Sequence, residues 1–308
     1  MQKKVYIVLI SLFLVLFSGV ANSQDLGKIG YGSSDAVLPG KNQELFFMGF
    51  DTGMQTTLKE RTLNEVLITN HVWDSSQLGA MRSANYLVSQ GVVALIGFPT
   101  SHEALLVSKV AKENKMLGFF AGAGHADLAK MGSLIYTTGE SMKYSVESTL
   151  GFIKKHFPSG RGVLIVNPYA VFSKNQEDTF VDLMKDSKNR NIEMVPMYLR
   201  SDLKLSSEDI KRLKNLKIDY LCLTPYADES VRLMEQMERE DLEFPLISNS
   251  SWTTGDIEFI RRFLTNRKSP VYSATLWLKG SSESKKFESV IRERYGKEPT
   301  SSPLKNPP

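Results

Sequence analysis

The chain has 308 residues, and its 38 Lys and Arg against 34 Asp and Glu leave a formal net charge of +4. The charges are interspersed and no basic run is interleaved with aromatic residues, which argues against a nucleic-acid partner. The only cysteine, Cys222, sits in the apolar run 220–223; it cannot close an intrachain disulfide and reads as a buried, inert thiol.

The N-terminus is short and basic over residues 1–4, apolar over 5–17, and small and polar over 18–23, with Ala21 and Ser23 at the spacing of a signal-peptidase cut. The apolar run falls short of the ~20 residues of a membrane span, so 1–23 is expected to be a secretory signal and the mature protein soluble and exported. An uncleaved anchor is the alternative. No cysteine near the cut supports a lipid anchor.

Short β-rich runs then alternate with amphipathic segments. Strands are expected at 28–31, 65–72, 92–97, 116–121 and 134–137, with helices at 42–59, 78–89 and 101–113 between them. The pattern restarts with helices at 144–155, 175–188, 206–216, 229–240 and 256–264. Strands at 162–166, 192–198, 219–224, 244–247 and 271–278 accompany them. Alternation at this spacing builds right-handed βαβ units and mostly parallel sheets. The runs at 92–96 and 163–166 show no polar alternation, as expected of strands covered on both faces. Two successive series argue for two doubly wound α/β lobes, although the number of βα units alone would also permit a barrel.

In open parallel sheets, ligands collect at the carboxyl ends of strands, where helices begin. The loops after residues 97 and 121 lie at that edge. Ser101 is expected as the N-cap of its helix with Glu103 in the first turn, and free N–H groups there favour an anionic group. The run "GAGHAD", Gly122–Asp127, lacks the third glycine of a dinucleotide fingerprint and follows the wrong strand, so no nucleotide cofactor is expected. His71, His102, His125 and His156 have no metal-ligand spacing. No nucleophile–base constellation is visible, which argues against an enzyme.

From residue 28 to about residue 298 the order of these features resembles the type I periplasmic substrate-binding proteins of ABC transporters, the leucine/isoleucine/valine-binding group. The resemblance rests on "KIGYGSSDAVLPGKNQELFFMGFDTGMQ", on "MRSANYLVSQGVVALIGFPTSHEALLVSKVAKENKMLGFFAGAGHADLAK", on "GVLIVNPYAVFSKNQEDTF" and on "IDYLCLTPYADESVRLMEQMEREDLEFPLISNSSW". It implies a monomer without cofactor or metal whose two lobes, joined by a hinge, close on a small polar solute. The lobes would span 26–138 plus 279–300, and 139–278, with crossings near 137–141 and 276–280. Residues 301–308 form a tail, and the chain stops short of the family's usual C-terminus.

The partner implied is an ABC permease of the inner membrane. A sensory receptor or kinase is the alternative, and a degenerate member that no longer binds is a third reading. Carried over position by position, the resemblance assigns the ligand site to Thr100, Ser101, His102, Gly122, Gly124, Tyr226 and Trp252. Ser33 and Phe172 stand at its margin. Trp252 reads equally well as a core aromatic. Gly124 stands where amino-acid binders carry a threonine hydroxyl, and Ser250 or Ser251 where they carry the acid that pairs the amino group. A carboxylate or neutral polar solute is therefore expected to bind better than an α-amino acid, since an unpaired ammonium group is costly to desolvate. Asp74, after the second strand, is the residue that would supply the missing charge if it reached the cleft rather than capping the helix at 78–89.

Overall fold

The computed structural model describes residues 28–34, 49–53, 67–73, 77–189, 191–253, 267–274 and 281–296. The leader, most of the expected helix at 42–59, Asp74, the expected helix at 256–264, the crossing at 276–280 and the tail lie outside the described residues.

Among the described residues, two five-stranded sheets organise the fold, and every strand pairing described in them is parallel. The first holds β1 (Lys28–Ser34), β2 (Leu67–Trp73), β3 (Val92–Gly97), β4 (Leu117–Phe120) and β5 (Ile135–Thr137) in the order β2-β1-β3-β4-β5. Helices α1 (Gln77–Ser89) and α2 (Ser101–Glu113) are its crossovers. The second holds β6 (Arg161–Val166), β7 (Glu193–Tyr198), β8 (Tyr220–Leu223), β9 (Leu246–Ser248) and β10 (Val271–Ser273) in the order β10-β9-β8-β6-β7. Its helices are α3 (Met142–His156), α4 (Val171–Met184), α5 (Ser207–Asn215) and α6 (Ala227–Arg239).

The second sheet shows why apolar runs without polar alternation make doubly covered strands. Val163, Ile165, Leu221, Leu223 and Leu246 join one apolar cluster with Leu213 of α5 and Leu233 and Met237 of α6. The intervening Leu164, Val166, Tyr220, Cys222 and Ile247 join another with Val146 and Ile153 of α3 and Phe180 of α4. Alternate residues along each strand thus bury on opposite faces, as the two-residue period of a strand requires. Each fully buried aliphatic side chain contributes about 1.5–3 kcal/mol to holding its helix on the sheet.

Sequence periodicity did not indicate helix α7 (Ser282–Tyr295). Ser281 caps it, its hydroxyl accepting from the Ser284 N–H at 3.1 Å, and Gly296 ends it in the left-handed region with φ 64°. The helix docks on the helical residues 49–53 through Arg294 and Asp51, 2.8 Å apart, and through Tyr295, whose hydroxyl donates to the same carboxylate. Phe50 in turn stacks on Tyr31 of β1 at 5.0 Å between ring centroids, which ties α7 to the first sheet.

Candidate functional site

Strand β3 ends at Gly97 with φ +102°, where a Cβ would lie 2.1 Å from the Gly32 carbonyl oxygen of β1. Phe98 follows at φ +46°, fully buried, with its N–H donating to that same oxygen at 3.0 Å. Two successive left-handed residues swing the chain out of the sheet, so α2 begins at its carboxyl edge. A non-glycine residue held there costs about 1–3 kcal/mol, supplied by the packing of its ring.

The N-cap of α2 is Thr100 and not Ser101, correcting the sequence expectation. The Thr100 N–H donates to the Glu103 carboxylate at 3.3 Å, its carbonyl accepts from the Ala104 N–H at 2.9 Å, and its hydroxyl pairs with Nδ1 of His102 at 3.2 Å. Ser101 becomes the first helical residue. Its side chain is buried at 2% exposure, and among the described residues its hydroxyl has no hydrogen-bond partner. An unpaired buried hydroxyl costs about 1–3 kcal/mol, so this one is notable beside the unpaired N–H groups of a helix start.

The loop after β4 divides between two roles. Gly122, exposed at φ +91°, lies next to the β3 loop, with the Pro99 carbonyl 3.5 Å from where its Cβ would be. Gly124 is packed against the crossing segment instead: a Cβ there would stand 2.5 Å from the Glu140 carbonyl oxygen. The Met142 N–H donates to the Gly124 carbonyl at 3.3 Å, and a Cβ on Gly139 would stand 2.2 Å from the Ala123 carbonyl oxygen. The close approach of the Glu140 carbonyl thus leaves no room for a side chain at position 124. Burial raises the Glu140 carboxyl above its ordinary value, opposed by a hydrogen bond with Ser145. Nδ1 of His125 accepts from the Asp127 N–H at 3.1 Å.

On the second sheet, Phe172 in the first turn of α4 and Tyr226 at the N-cap of α6 meet across the carboxyl edges of β6 and β8. Their rings stack at 4.8 Å with an interplanar angle of 18°. Sequence pattern did not point to the hydroxyls beneath them. Ser173 and Thr224 are 2.5 Å apart and fully buried, with Thr224 donating to the Ile165 carbonyl at 3.0 Å and Ser173 accepting from the Asn167 N–H at 2.8 Å. Small hydroxyl residues just past strand ends are the signal that marks such pins. Trp252 packs as a core aromatic: at 3% exposure it joins the apolar cluster of Val163, Leu223 and Leu246. Ser33 lies in β1, paired with Val72.

The two carboxyl edges approach each other, with α2 and α4 coming within 8 Å between Cα atoms. The Ala126 N–H reaches Oδ1 of Asn175 on α4 at 3.5 Å. A groove of about 280 Å³ lined by Leu164, Phe180, Met184, Met194 and Pro196 lies elsewhere, on the flank of the second sheet between α4 and β7.

No protein-family profile matches the sequence, and comparison with curated proteins finds no match. Solved structures do match. The branched-chain amino acid transporter substrate-binding protein LivJ of Streptococcus pneumoniae, in complex with isoleucine, superposes with a TM-score of 0.72 at 15% identity. That match covers 88% of this chain and 78% of LivJ. The leucine-binding protein LivK of Thermotoga maritima gives 0.71 at 18% identity, covering 89% and 78%. A solute-binding protein of an ABC transporter from Rhodopseudomonas palustris, in complex with 3,4-dihydroxybenzoic acid, gives 0.65 at 15%, covering 90% and 76%. The chain has the type I periplasmic-binding-protein fold. In this periplasmic-binding-protein fold, Ser101 and Tyr226 stand at helix starts on the carboxyl edges of different sheets.

Proposed function

We propose that this chain is an exported solute-binding protein, not an enzyme, which captures a small carboxylate between two lobes and delivers it to an ABC permease. The lobes span 26–138 plus 279–300, and 139–278. The attachment of α7 to Asp51 supports placing the C-terminal segment with the first lobe. The observation that carries the reading is the Ser101 hydroxyl, buried at the start of α2 and without a partner among the described residues. With the N–H groups of Ser101 and His102 at the helix start it offers donors to an anion, and a carboxylate satisfies them together. Thr100 and His102 flank this position, Gly122 leaves the adjoining loop open, and Tyr226 backed by Phe172 provides a wall from the second lobe.

Ligand contacts on both lobes stabilise the closed state relative to the open one, which is the whole of the mechanism. The bound dihydroxybenzoic acid of the Rhodopseudomonas protein supports a solute that has a carboxylate and lacks an α-amino group. The bound isoleucine of LivJ is the competing precedent. A thermal-shift screen of the purified protein against benzoates, aliphatic carboxylates and branched-chain amino acids tests the reading. A ligand at 100 times its dissociation constant stabilises by about 2.7 kcal/mol. Stabilisation by leucine or isoleucine but by no acid lacking the amino group overturns the carboxylate assignment.

A further inference from the structure

Asn249 follows β9 and is 3% exposed. Its amide nitrogen faces three carbonyl oxygens of the turn that precedes α6: Leu223 at 3.4 Å, Thr224 at 2.9 Å and Pro225 at 3.1 Å. Its Oδ1 accepts from both the N–H and the hydroxyl of Ser251, at 2.9 and 2.5 Å. Two amide hydrogens shared among three carbonyls, and one oxygen taking two donors, use the full capacity of the group. One buried side chain therefore ties the turn that ends at Tyr226 to the turn that carries Ser250 and Ser251. The Thr224–Ser173 pair continues the tie to the start of α4, beneath Phe172.

We propose that Asn249 is a positioning residue for the second lobe's half of the binding site, locking the Tyr226 turn and the Ser250–Ser251 turn into one rigid wall. The proposal rests on the solute-binding reading for its purpose, while the lock itself is a property of the ligand-free protein. At this size only an asparagine side chain combines two N–H donors with a carbonyl acceptor. Aspartate keeps the acceptor but sets a carboxylate against three carbonyls, and alanine leaves both turns untied. A prebuilt wall lowers the ordering cost of binding, so its loss weakens affinity.

The test compares the full-length wild type with Asn249→Ala by amide hydrogen exchange without ligand, then by titration with the acid most stabilising in the thermal screen. Exchange is expected to quicken at least tenfold in residues 224–229 and 250–252, with β6 and β8 unchanged, and affinity to fall about tenfold. Unchanged protection in those two turns overturns the proposal, and so does faster exchange spread evenly over the second lobe with affinity retained. If the alanine variant does not fold, Asn249→Ser carries the same comparison. A wild type that binds no acid sinks the functional reading alone, and the exchange comparison still decides on Asn249.

Discussion

Replacing Gly97 by alanine tests whether the bend that presents α2 is built by backbone overlap as well as by conformation. Two costs combine at this position. A side chain at φ +102° is strained by about 1–3 kcal/mol. Its Cβ also falls 2.1 Å from the Gly32 carbonyl oxygen, a backbone atom that cannot turn aside. Relieving that overlap pushes β1 and β3 apart at their Gly32–Gly97 pairing and breaks the Phe98 N–H bond to Gly32, a further loss of about 1–3 kcal/mol. The stiffer unfolded chain returns only about 0.4–1 kcal/mol. The net expectation is a loss of about 3 kcal/mol, with the terms spanning about 1–5 kcal/mol.

Two controls separate the causes. Gly91 has φ +75° with nothing within 4 Å of its Cβ position, so Gly91→Ala carries strain alone and is expected to lose about 1 kcal/mol. Gly151, inside α3 with equally open space, is expected to gain about 0.5–1 kcal/mol as alanine. Urea unfolding followed by far-ultraviolet circular dichroism measures all three. A Gly97→Ala protein as stable as Gly91→Ala refutes the reasoning.

Cys222 is 2% exposed and burial pushes its thiol up to about 12, so the native protein is expected to resist iodoacetamide at mildly alkaline pH and to react once unfolded; rapid native labelling contradicts this. Burial, the largest influence, holds His125 below its ordinary value, against the attraction of Asp127 and Asp178. The unfolded chain therefore takes up this proton first, and the stability contributed by the neutral ring is complete above about pH 6.5 and lost as pH falls below it. His125→Asn keeps a short acceptor for the Asp127 N–H and is expected to flatten stability between about pH 7 and 5 relative to wild type; an unchanged slope in urea titrations would show the ring to be a bystander.

The strands and crossover helices were legible because their burial pattern is written in residue type. Residues 92–97 and 101–113 fold as the apolar period demands. Helix α4 starts four residues before the expected 175, at Val171, because its first turn is fixed by Ser173 and Thr224 at the sheet edge and not by apolar spacing. Helix α7 was missed for a related reason: its sequence is mostly charged or polar, and it docks through Arg294, Tyr295 and Asp51. The site loops were legible as positions, less so as roles. Nothing in "PTSHE" says that threonine takes the cap and frees the serine, a choice made by Glu103 folding back on Thr100. Nothing local shows that Gly124 lies under Glu140, or that Trp252 turns into the core.

The central claim is that one ligand is held by groups from both lobes. Isothermal titration of the same carboxylate into wild type, Ser101→Ala and Tyr226→Ala measures it most directly. The account predicts that each single substitution, one on each sheet's carboxyl edge, weakens binding by about tenfold, the ~1.4 kcal/mol scale of one lost hydrogen bond or ring contact. Ser101→Ala is expected to leave unfolding stability unchanged or slightly raised, since it removes an unpaired buried hydroxyl. Binding that depends on Tyr226 but is untouched at Ser101, or the reverse, would contradict a site shared between the lobes.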